Sequence, residues 1–167
     1  MYMDTKALFK LGYGLYVIGT EHEGVLAGCT CNTVAQITGT PVQIAVGLNK
    51  DNYTNEMIHK SGKLTVSILD KTADMDLIAN FGFQSSRTAD KFHTSGQAFV
   101  VDTQAVPYLA EHTSAVLSAK VVIDPQPDLF CMGQHGILAA SGAEHRLQLP
   151  DWPADRIPEG AGSAEAG

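Results

Sequence analysis

Short β-prone segments separated by turn residues constrain the fold of this chain more than any other feature of its sequence. Val42–Leu48 carries apolar side chains at every second position, which is the period of a half-buried strand. The turn residues 21–24 predict that the segments on either side form a hairpin. The other predicted strands are Tyr13–Thr20, Val25–Ile37, Leu64–Leu69, Ala98–Asp102, Ser114–Ile123 and Leu129–Ala140.

Helical segments are fewer than strands and do not alternate with them. We predict helices over Met1–Lys10, over Asn52–Lys60 with a cap at Asn52 or Thr54, over Thr72–Phe81 with a cap at Thr72, and over Ser85–Phe92. Regular βαβ alternation is missing, which disfavours a doubly wound parallel sheet. The expected class is mainly β, an antiparallel barrel with flanking helices.

The length and composition fit one domain followed by a tail. The chain has 167 residues, of which 44% are hydrophobic, and this is enough to bury a sizeable core. We predict one domain over residues 1–143. Residues 144–167 are acidic and rich in proline and glycine, so we expect an extended and then disordered tail.

Charge, hydropathy and cysteine content disfavour several classes of protein. The formal net charge of −7 argues against a nucleic-acid binder, which needs clustered cations. The sequence contains no run of 18 apolar residues, so no transmembrane helix is predicted. Met1–Lys10 lacks the apolar block of a signal peptide. Three cysteines without a signal peptide predict reduced thiols in a cytoplasmic protein.

Familiar catalytic and metal-binding patterns are missing from the sequence. The six histidines form no HExxH pair, and there is no G-x-S-x-G elbow, Walker A pattern or complete dinucleotide fingerprint. We therefore name no catalytic residue and no metal ligand. Cys29 and Cys31 share one face of a predicted strand, either as small buried residues or as a redox or ligand pair.

Two polar segments are candidates for ligand binding. In the first, alternation places Asn32, Val34 and Gln36 on one strand face, which suits either the edge of a polar heterocycle or solvent. In the second, Ser85–Phe92, a helix would place Arg87 and Lys91 on one face, either for a phosphate or as a surface helix. Six of the nine bases in residues 1–143 lie between Lys50 and Lys91, which also suits an anionic ligand.

Taken in order, these segments resemble the flavin reductase-like, FMN-binding split-barrel family, which includes flavoredoxins. The resemblance spans roughly residues 5–142. It rests on Gly14-Leu-Tyr-Val-Ile, Gly28-Cys-Thr-Cys-Asn-Thr-Val-Ala-Gln-Ile-Thr, Leu48-Asn-Lys-Asp-Asn-Tyr-Thr54 and Phe81-Gly-Phe-Gln-Ser-Ser-Arg-Thr-Ala-Asp-Lys-Phe92. Two departures are Ser86, where the family has glycine, and the loosely similar segment 130–136.

The resemblance implies a six-stranded antiparallel split barrel, a homodimer, and FMN near the dimer interface. It places Asn32, Thr33, Val34 and Gln36 along the flavin ring and ribityl chain. It places Asn49, Lys50, Asn52 and Thr54 near the phosphate, and Phe81, Ser86, Arg87 and Lys91 where they complete the pocket.

The implied activity is that of an oxidoreductase that passes hydride or electrons from NADH or NADPH through FMN to free flavin or another acceptor. The expected partners are flavin and a nicotinamide, with an electron-transfer protein as a further partner, and no nucleic acid or membrane. The alternative is a non-catalytic split-barrel module that binds a ligand or carries electrons, as a flavoredoxin does.

Overall fold

The computed structural model describes residues 12–40, 42–122 and 135–144, the last range through its backbone. No helix within these ranges is long and apolar enough to cross a membrane. The described residues form nine strands and three helices. In chain order they are β1 Tyr16–His22, β2 Val25–Cys31, β3 Val34–Gly39, β4 Val42–Asn49, α1 Tyr53–Ser61, β5 Lys63–Leu69, α2 Met75–Phe83, α3 Lys91–Thr94, β6 Phe99–Val101, β7 Pro107–Leu109, β8 Thr113–Val122 and β9 His135–Glu144.

Seven of these strands form one antiparallel sheet in the order β2-β1-β5-β8-β9-β4-β3, and β6 and β7 form a separate ribbon. The predicted hairpin is confirmed: β1 pairs with β2 across a turn in which Glu23 and Gly24 both have positive φ. The mainly β class with flanking helices is therefore confirmed. Closure of the sheet into a six-stranded barrel stays a prediction.

The hydrophobic core consists of two clusters on opposite faces of β1. Because neighbouring side chains of a strand point to opposite faces, Ile18 enters one cluster and Val17 the other. The first cluster lies under α1 and includes Ile58 of that helix. The second cluster includes Phe81 of α2 and Phe92 of α3. The helices are thus held against the sheet from two sides.

The single strand predicted over Val25–Ile37 is wrong, because the structure divides it into β2 and β3 at Asn32 and Thr33. The backbone N–H of Thr33 donates to the Cys31 sulfur (3.3 Å), while the Thr33 carbonyl accepts from the N–H of Gly47 (2.8 Å). The chain leaves its partner β1 at this point and pairs with β4 instead. Asn32 therefore does not share a strand face with Val34 and Gln36.

Two helix predictions need correction. The second helix begins at Met75 and not at Thr72, because the Thr72 hydroxyl and N–H both bond Asp70 while the Asp74 carboxylate caps the helix at the N–H of Leu77 (2.8 Å). The helix predicted over Ser85–Phe92 is wrong, because residues 86–88 form a turn and α3 begins only at Lys91.

The remaining predicted elements are confirmed where the structure describes them. The strands predicted at 42–48, 64–69, 98–102 and 114–123 correspond to β4, β5, β6 and β8, and β7 was not predicted. β9 covers part of the strand predicted at 129–140, of which 129–134 lie outside the described residues. The predicted helix Met1–Lys10 and the predicted tail from residue 145 onward also lie outside them.

Candidate functional site

An open cleft of about 380 Å³ lies where β2 gives way to β3. Its first wall is the end of β2 and the break that follows, its second is the end of β4 with the turn into α1, and its third is the last part of α2. The lining residues are Leu15, Thr30, Cys31, Asn32, Thr33, Gly47, Leu48, Asn49, Asn52, Ile78, Gly82 and Phe83. The break between β2 and β3 thus exposes side chains that a continuous strand would have placed on a sheet face.

The β2–β3 break is held to β4 by close contacts around Thr33. The Thr33 hydroxyl donates to the side-chain oxygen of Asn32 (3.1 Å). A Cβ built on Gly47 would lie 2.9 Å from the Thr33 methyl carbon, so only glycine lets Thr33 approach β4 this closely. The two polar side chains are thereby presented together at the cleft.

Asparagine side chains shape the turn between β4 and α1. The Asn49 side-chain oxygen accepts from the N–H of Asp51 (2.9 Å), and the Asn52 oxygen accepts from the N–H of Thr54 (2.9 Å) and caps α1. Both oxygens face the backbone. Among the described residues the Asn49 amide NH₂ has no hydrogen-bond partner, so it is a donor available to a ligand in the cleft.

The α2 wall carries an apolar side chain, Phe83, that is not among the predicted site residues. Phe83 is 80% exposed and lines the cleft, whereas the predicted Phe81 is 1% exposed in the second core cluster. One signal could have separated them: Leu77 and Phe81 are four residues apart and share the buried helix face, while Phe83 lies off that face.

Lys91 lies inside the protein and not at its surface. Lys91 is only 2% exposed. Its ammonium donates hydrogen bonds to the carbonyl oxygens of Gly28 (2.9 Å) and Phe81 (3.0 Å). Burial lowers the pKa of Lys91, and the nearby Cys29 opposes this shift. The predicted sharing of a helix face with Arg87 is therefore wrong, and a contact with a cofactor stays a prediction.

Arg87 is exposed and contacts the first turns of α1. Its guanidinium bonds the Glu56 carboxylate (2.7 Å) and lies 4.6 Å from the centre of the Tyr53 ring. The same Glu56 bonds Lys60 (2.7 Å). Arg87 also lines a second groove of about 380 Å³, together with Gly24, Val25, Leu26, Ser86, Thr88, Ala89, Asp90 and His93.

The other predicted site residues have different environments. Gln36 is exposed on β3 and donates to the Thr38 carbonyl (3.2 Å), and Lys50 is exposed in the turn before α1. Val34 packs against the first core cluster, and the Ser86 hydroxyl both accepts from the N–H and donates to the carbonyl of Gly28 (3.0 Å each). Of the twelve predicted residues, the cleft lining includes Asn32, Thr33, Asn49 and Asn52.

Thr54 is buried at the start of α1, beside the Cys29 thiol. Its hydroxyl oxygen has no hydrogen bond of standard geometry to another described residue. Burial raises the pKa of Cys29 to about 11, although the Thr54 side chain and the Lys91 ammonium act in the opposite direction. Burial also raises the pKa of Cys31. Both thiols stay protonated at neutral pH, so neither is an activated nucleophile.

Within the described ranges, no group of three or more histidine, cysteine, aspartate or glutamate side chains is arranged to hold a metal ion. The cleft instead combines apolar walls with amide and hydroxyl groups. Such a lining suits a flat organic ligand with a polar edge.

A family model described as the flavin reductase like domain matches residues 8–148 of the chain. The chain belongs to the flavin reductase-like family. It is 42% identical over 120 residues to a ferric-chelate reductase (NAD(P)H) of Archaeoglobus fulgidus, covering 72% of this chain and 70% of that protein. It is 43% identical over 119 residues to a high molecular weight rubredoxin of Moorella thermoacetica, covering 71% of this chain and 51% of the relative, about half its length.

Two solved structures share the fold of this chain. An FMN-binding protein of Thermus thermophilus superposes with a TM-score of 0.69 at 17% identity, covering 84% of this chain and 74% of that one. An NADH:FAD oxidoreductase of Streptomyces globisporus gives a TM-score of 0.71 at 17% identity, covering 87% and 85%. These identities are low, so the two matches bear on the fold alone.

Proposed function

We propose that this member of the family binds FMN in the cleft and uses NADH or NADPH to reduce free flavin or another acceptor. Bound FMN would supply the redox chemistry, which the twenty side chains do not provide on their own. The task of this chain is to hold and orient the two small molecules. No side chain is assigned as an acid or a base.

The observation that carries the proposal is the composition of the cleft. A flavin has a flat apolar ring, a polar ring edge, a hydroxylated chain and a phosphate. Leu15, Leu48, Ile78 and Phe83 provide apolar surface, and Asn32, Thr33 and Asn49 provide donors and acceptors beside it. The volume of about 380 Å³ lies within the ordinary range for small-molecule sites.

The cleft walls divide the proposed contacts. Asn32 and Thr33 would bond the ring edge and the ribityl chain, and Phe83 would cover a ring face. The turn from Asn49 to Asn52, with Lys50 between them, would hold the phosphate at the start of α1, where backbone N–H groups favour an anion. The Arg87 guanidinium contacts the ring of Tyr53 in the first turn of α1 and would add a positive charge near the phosphate.

The remaining predicted residues support these walls. Val34 and Phe81 would support the cleft through packing in the core. Thr54 and Ser86 would support it through their hydroxyl groups next to β2. Gln36 would contribute its side-chain amide from the neighbouring strand β3. A homodimer with FMN near its interface, a cytoplasmic location, closure into a six-stranded barrel, and a domain over 1–143 followed by a tail are further parts of the proposal.

An electron carrier is the second candidate function. It is favoured by the 43% identity to a protein named as a high molecular weight rubredoxin, although the chain spans about half of that relative. A carrier would hold FMN in the same cleft and exchange electrons with a protein partner without oxidising a nicotinamide quickly.

Steady-state oxidation of NADH and NADPH in the presence of free FMN separates the two functions. A reductase oxidises at least one nicotinamide with multiple turnovers. A protein that binds FMN but turns over neither nicotinamide is the carrier.

The proposed phosphate contact of Arg87 has a matched test. Arg87→Ala should weaken binding of FMN about tenfold and leave riboflavin, which lacks the phosphate, unchanged. Lys120→Ala removes an exposed cation from β8 and is the control for net charge. Equal losses for FMN and riboflavin would contradict the assignment of Arg87.

A further inference from the structure

One backbone position of β2, Gly28, is held by three residues of the segment that follows α2. Ser86 bonds its N–H and its carbonyl, and the Lys91 ammonium donates to the same carbonyl at 2.9 Å. A Cβ at Gly28 would lie 2.9 Å from the Phe92 ring, so that ring rests directly on the strand backbone. Two residues further along, β2 enters the cleft at Thr30.

The same ammonium also holds the end of α2. It donates to the Phe81 carbonyl at 3.0 Å, and the next two residues of the helix, Gly82 and Phe83, line the opposite side of the cleft. Lys91 is therefore bonded at once to the two backbone segments from which two walls of the cleft extend. A weaker bond between the walls is the Thr30 hydroxyl to the Ile78 carbonyl at 3.3 Å.

A buried ammonium suits this role because lysine is the side chain with three donors on one atom and a long stem. Lys91 reaches two carbonyls on different elements from a third element, α3. If it were lost, both buried carbonyls would lose a charge-assisted bond. An ammonium occupied in this way is also withdrawn from the surface, where a ligand phosphate would bind.

We propose that Lys91 is a positioning residue that sets the separation between the β2 wall and the α2 wall of the cleft, and that it is not a ligand of the cofactor phosphate. The inference rests on the proposed function, because it assumes that the cleft holds flavin. It predicts that Lys91 affects every flavin equally, whether or not the flavin carries a phosphate.

The test compares FMN and riboflavin binding to the full chain and to Lys91→Met, which keeps the length of the stem and removes the donors. We expect both dissociation constants to rise about tenfold or more, with their ratio unchanged, and the visible band of bound flavin to shift. Lys91→Gln, whose amide retains two donors, should recover part of the affinity for both flavins.

Thr65→Val is the matched control for a general loss of stability. The Thr65 hydroxyl donates to the Pro107 carbonyl at 2.6 Å in a buried site that is not part of the cleft lining. This variant should lower the melting temperature without changing either flavin constant. If Thr65→Val weakens flavin binding as much as Lys91→Met does, a positioning role is overturned.

Selective loss of FMN binding in Lys91→Met would overturn the inference in favour of a phosphate contact, and unchanged binding of both flavins would overturn it as well. If Lys91→Met does not fold, the same comparison on Lys91→Gln decides between these outcomes. Amide hydrogen exchange without ligand gives an independent readout. Exchange should accelerate at residues 28–32 and 81–84 in the Lys91 variants and not in Thr65→Val.

If the wild-type chain binds neither flavin, the proposed function fails and the hydrogen-exchange result still judges the role of Lys91. If the wild-type chain binds flavin and the variants behave otherwise than expected, only the inference fails.

Discussion

Two phenylalanines at the end of α2 differ in exposure although a single residue separates them. Phe81 packs edge-on against Phe92, with ring centres 5.1 Å apart, in the second core cluster. Phe83 lines the cleft with most of its ring exposed. The two side chains therefore lie in different environments, one in the core and one at the cleft where we propose that flavin binds.

Replacing each of them by alanine tests this difference. Phe81→Ala should lower the free energy of unfolding by about 3–5 kcal/mol, because it leaves a cavity in the core. Phe83→Ala should change it by less than about 0.5 kcal/mol, yet weaken flavin binding severalfold. Denaturant unfolding and flavin titration measure both effects. A large stability loss in Phe83→Ala would contradict the assignment.

Because the Cys29 thiol is buried, we expect the free energy of unfolding to fall with rising pH in the alkaline range. The pKa of this thiol, about 11 in the folded chain, exceeds the value of 9.0 for a free thiol. Between these pH values only the unfolded chain loses the proton, so the free energy of unfolding falls as pH rises, by roughly 2–3 kcal/mol at most.

Unfolding of the wild type and of Cys29→Ala, measured from pH 8 to pH 11, isolates this contribution from the other groups that titrate there. We expect the wild type to lose more stability over this range than the variant. Equal slopes for the two proteins would contradict the burial of a neutral thiol at this position.

At the scale of single residues, the polar side chains of the cleft could be predicted from the sequence better than its apolar ones. Asn32 and Thr33 stand out as polar residues in a strand-like segment, and Asn52 stands out as a helix cap, whereas Asn49 is predicted only through the family resemblance. Ile78 and Phe83 resemble any apolar helix residue until the packing of α2 is known. The break after β2 was hidden because Cys31 and Thr33 are ordinary strand residues.

At the level of secondary-structure elements, the N-terminal cap of α1 contributes both to the stability of the helix and to the lining of the candidate site. Asn52 caps the helix with its side-chain oxygen and also lines the cleft. Gly62 ends the helix in the left-handed conformation, with φ of 68°, and its N–H bonds the Ile58 carbonyl (2.8 Å). Both ends of α1 are therefore fixed locally, which is why its limits could be predicted from the sequence.

Two substitutions at Asn52 distinguish its role as a helix cap from its proposed contact with the cofactor. Asn52→Ala should cost about 1 kcal/mol of stability through the lost cap and also weaken FMN binding. Asn52→Asp retains a cap of similar strength, so the melting temperature should not change, while its negative charge beside the proposed phosphate site should weaken FMN binding more than riboflavin binding. Thermal unfolding and titration report the two effects. Undiminished FMN binding by Asn52→Asp would remove Asn52 from the site.

The segment after α2 shows why another helix could not be predicted correctly. Its side chains compete with the backbone for hydrogen bonds: the N–H of Arg87 bonds the Ser85 hydroxyl (3.2 Å), and the N–H of His93 bonds the Asp90 carboxylate (3.2 Å). Because of these local bonds, the segment forms a turn at residues 86–88 and the short helix α3 in place of one continuous helix. Because this segment is not a continuous helix, the four-residue spacing of Arg87 and Lys91 does not place their side chains on one face.

At the scale of the whole molecule, the strand order follows from pairings between distant segments. β5 pairs with β8, and β4 pairs with β9, across connections that include helices and the separate ribbon. Period and turn residues predict a strand and its hairpin partner, but they hold no information on these long-range neighbours. The class could thus be predicted from the sequence, while the order of the sheet required the structure.

The proposed homodimer is tested by the mass of the protein in solution. β3 is the last strand of the described sheet, and Ile37 on it is more than half exposed. Light scattering coupled to size-exclusion chromatography should give about twice the chain mass of 17.8 kDa. A mass of one chain at micromolar concentration would contradict a dimer, and Ile37→Lys should lower the mass if β3 lies in the interface.

The absorbance spectrum of the purified protein, recorded without oxygen before and after addition of FMN and then of NADH or NADPH, shows whether the cleft holds a flavin that a nicotinamide can reduce. We predict a bound flavin band near ~450 nm that bleaches on addition of one of the nicotinamides, because the cofactor carries both the colour and the redox chemistry. A colourless protein that takes up no added FMN would contradict the claim that this cleft holds a flavin.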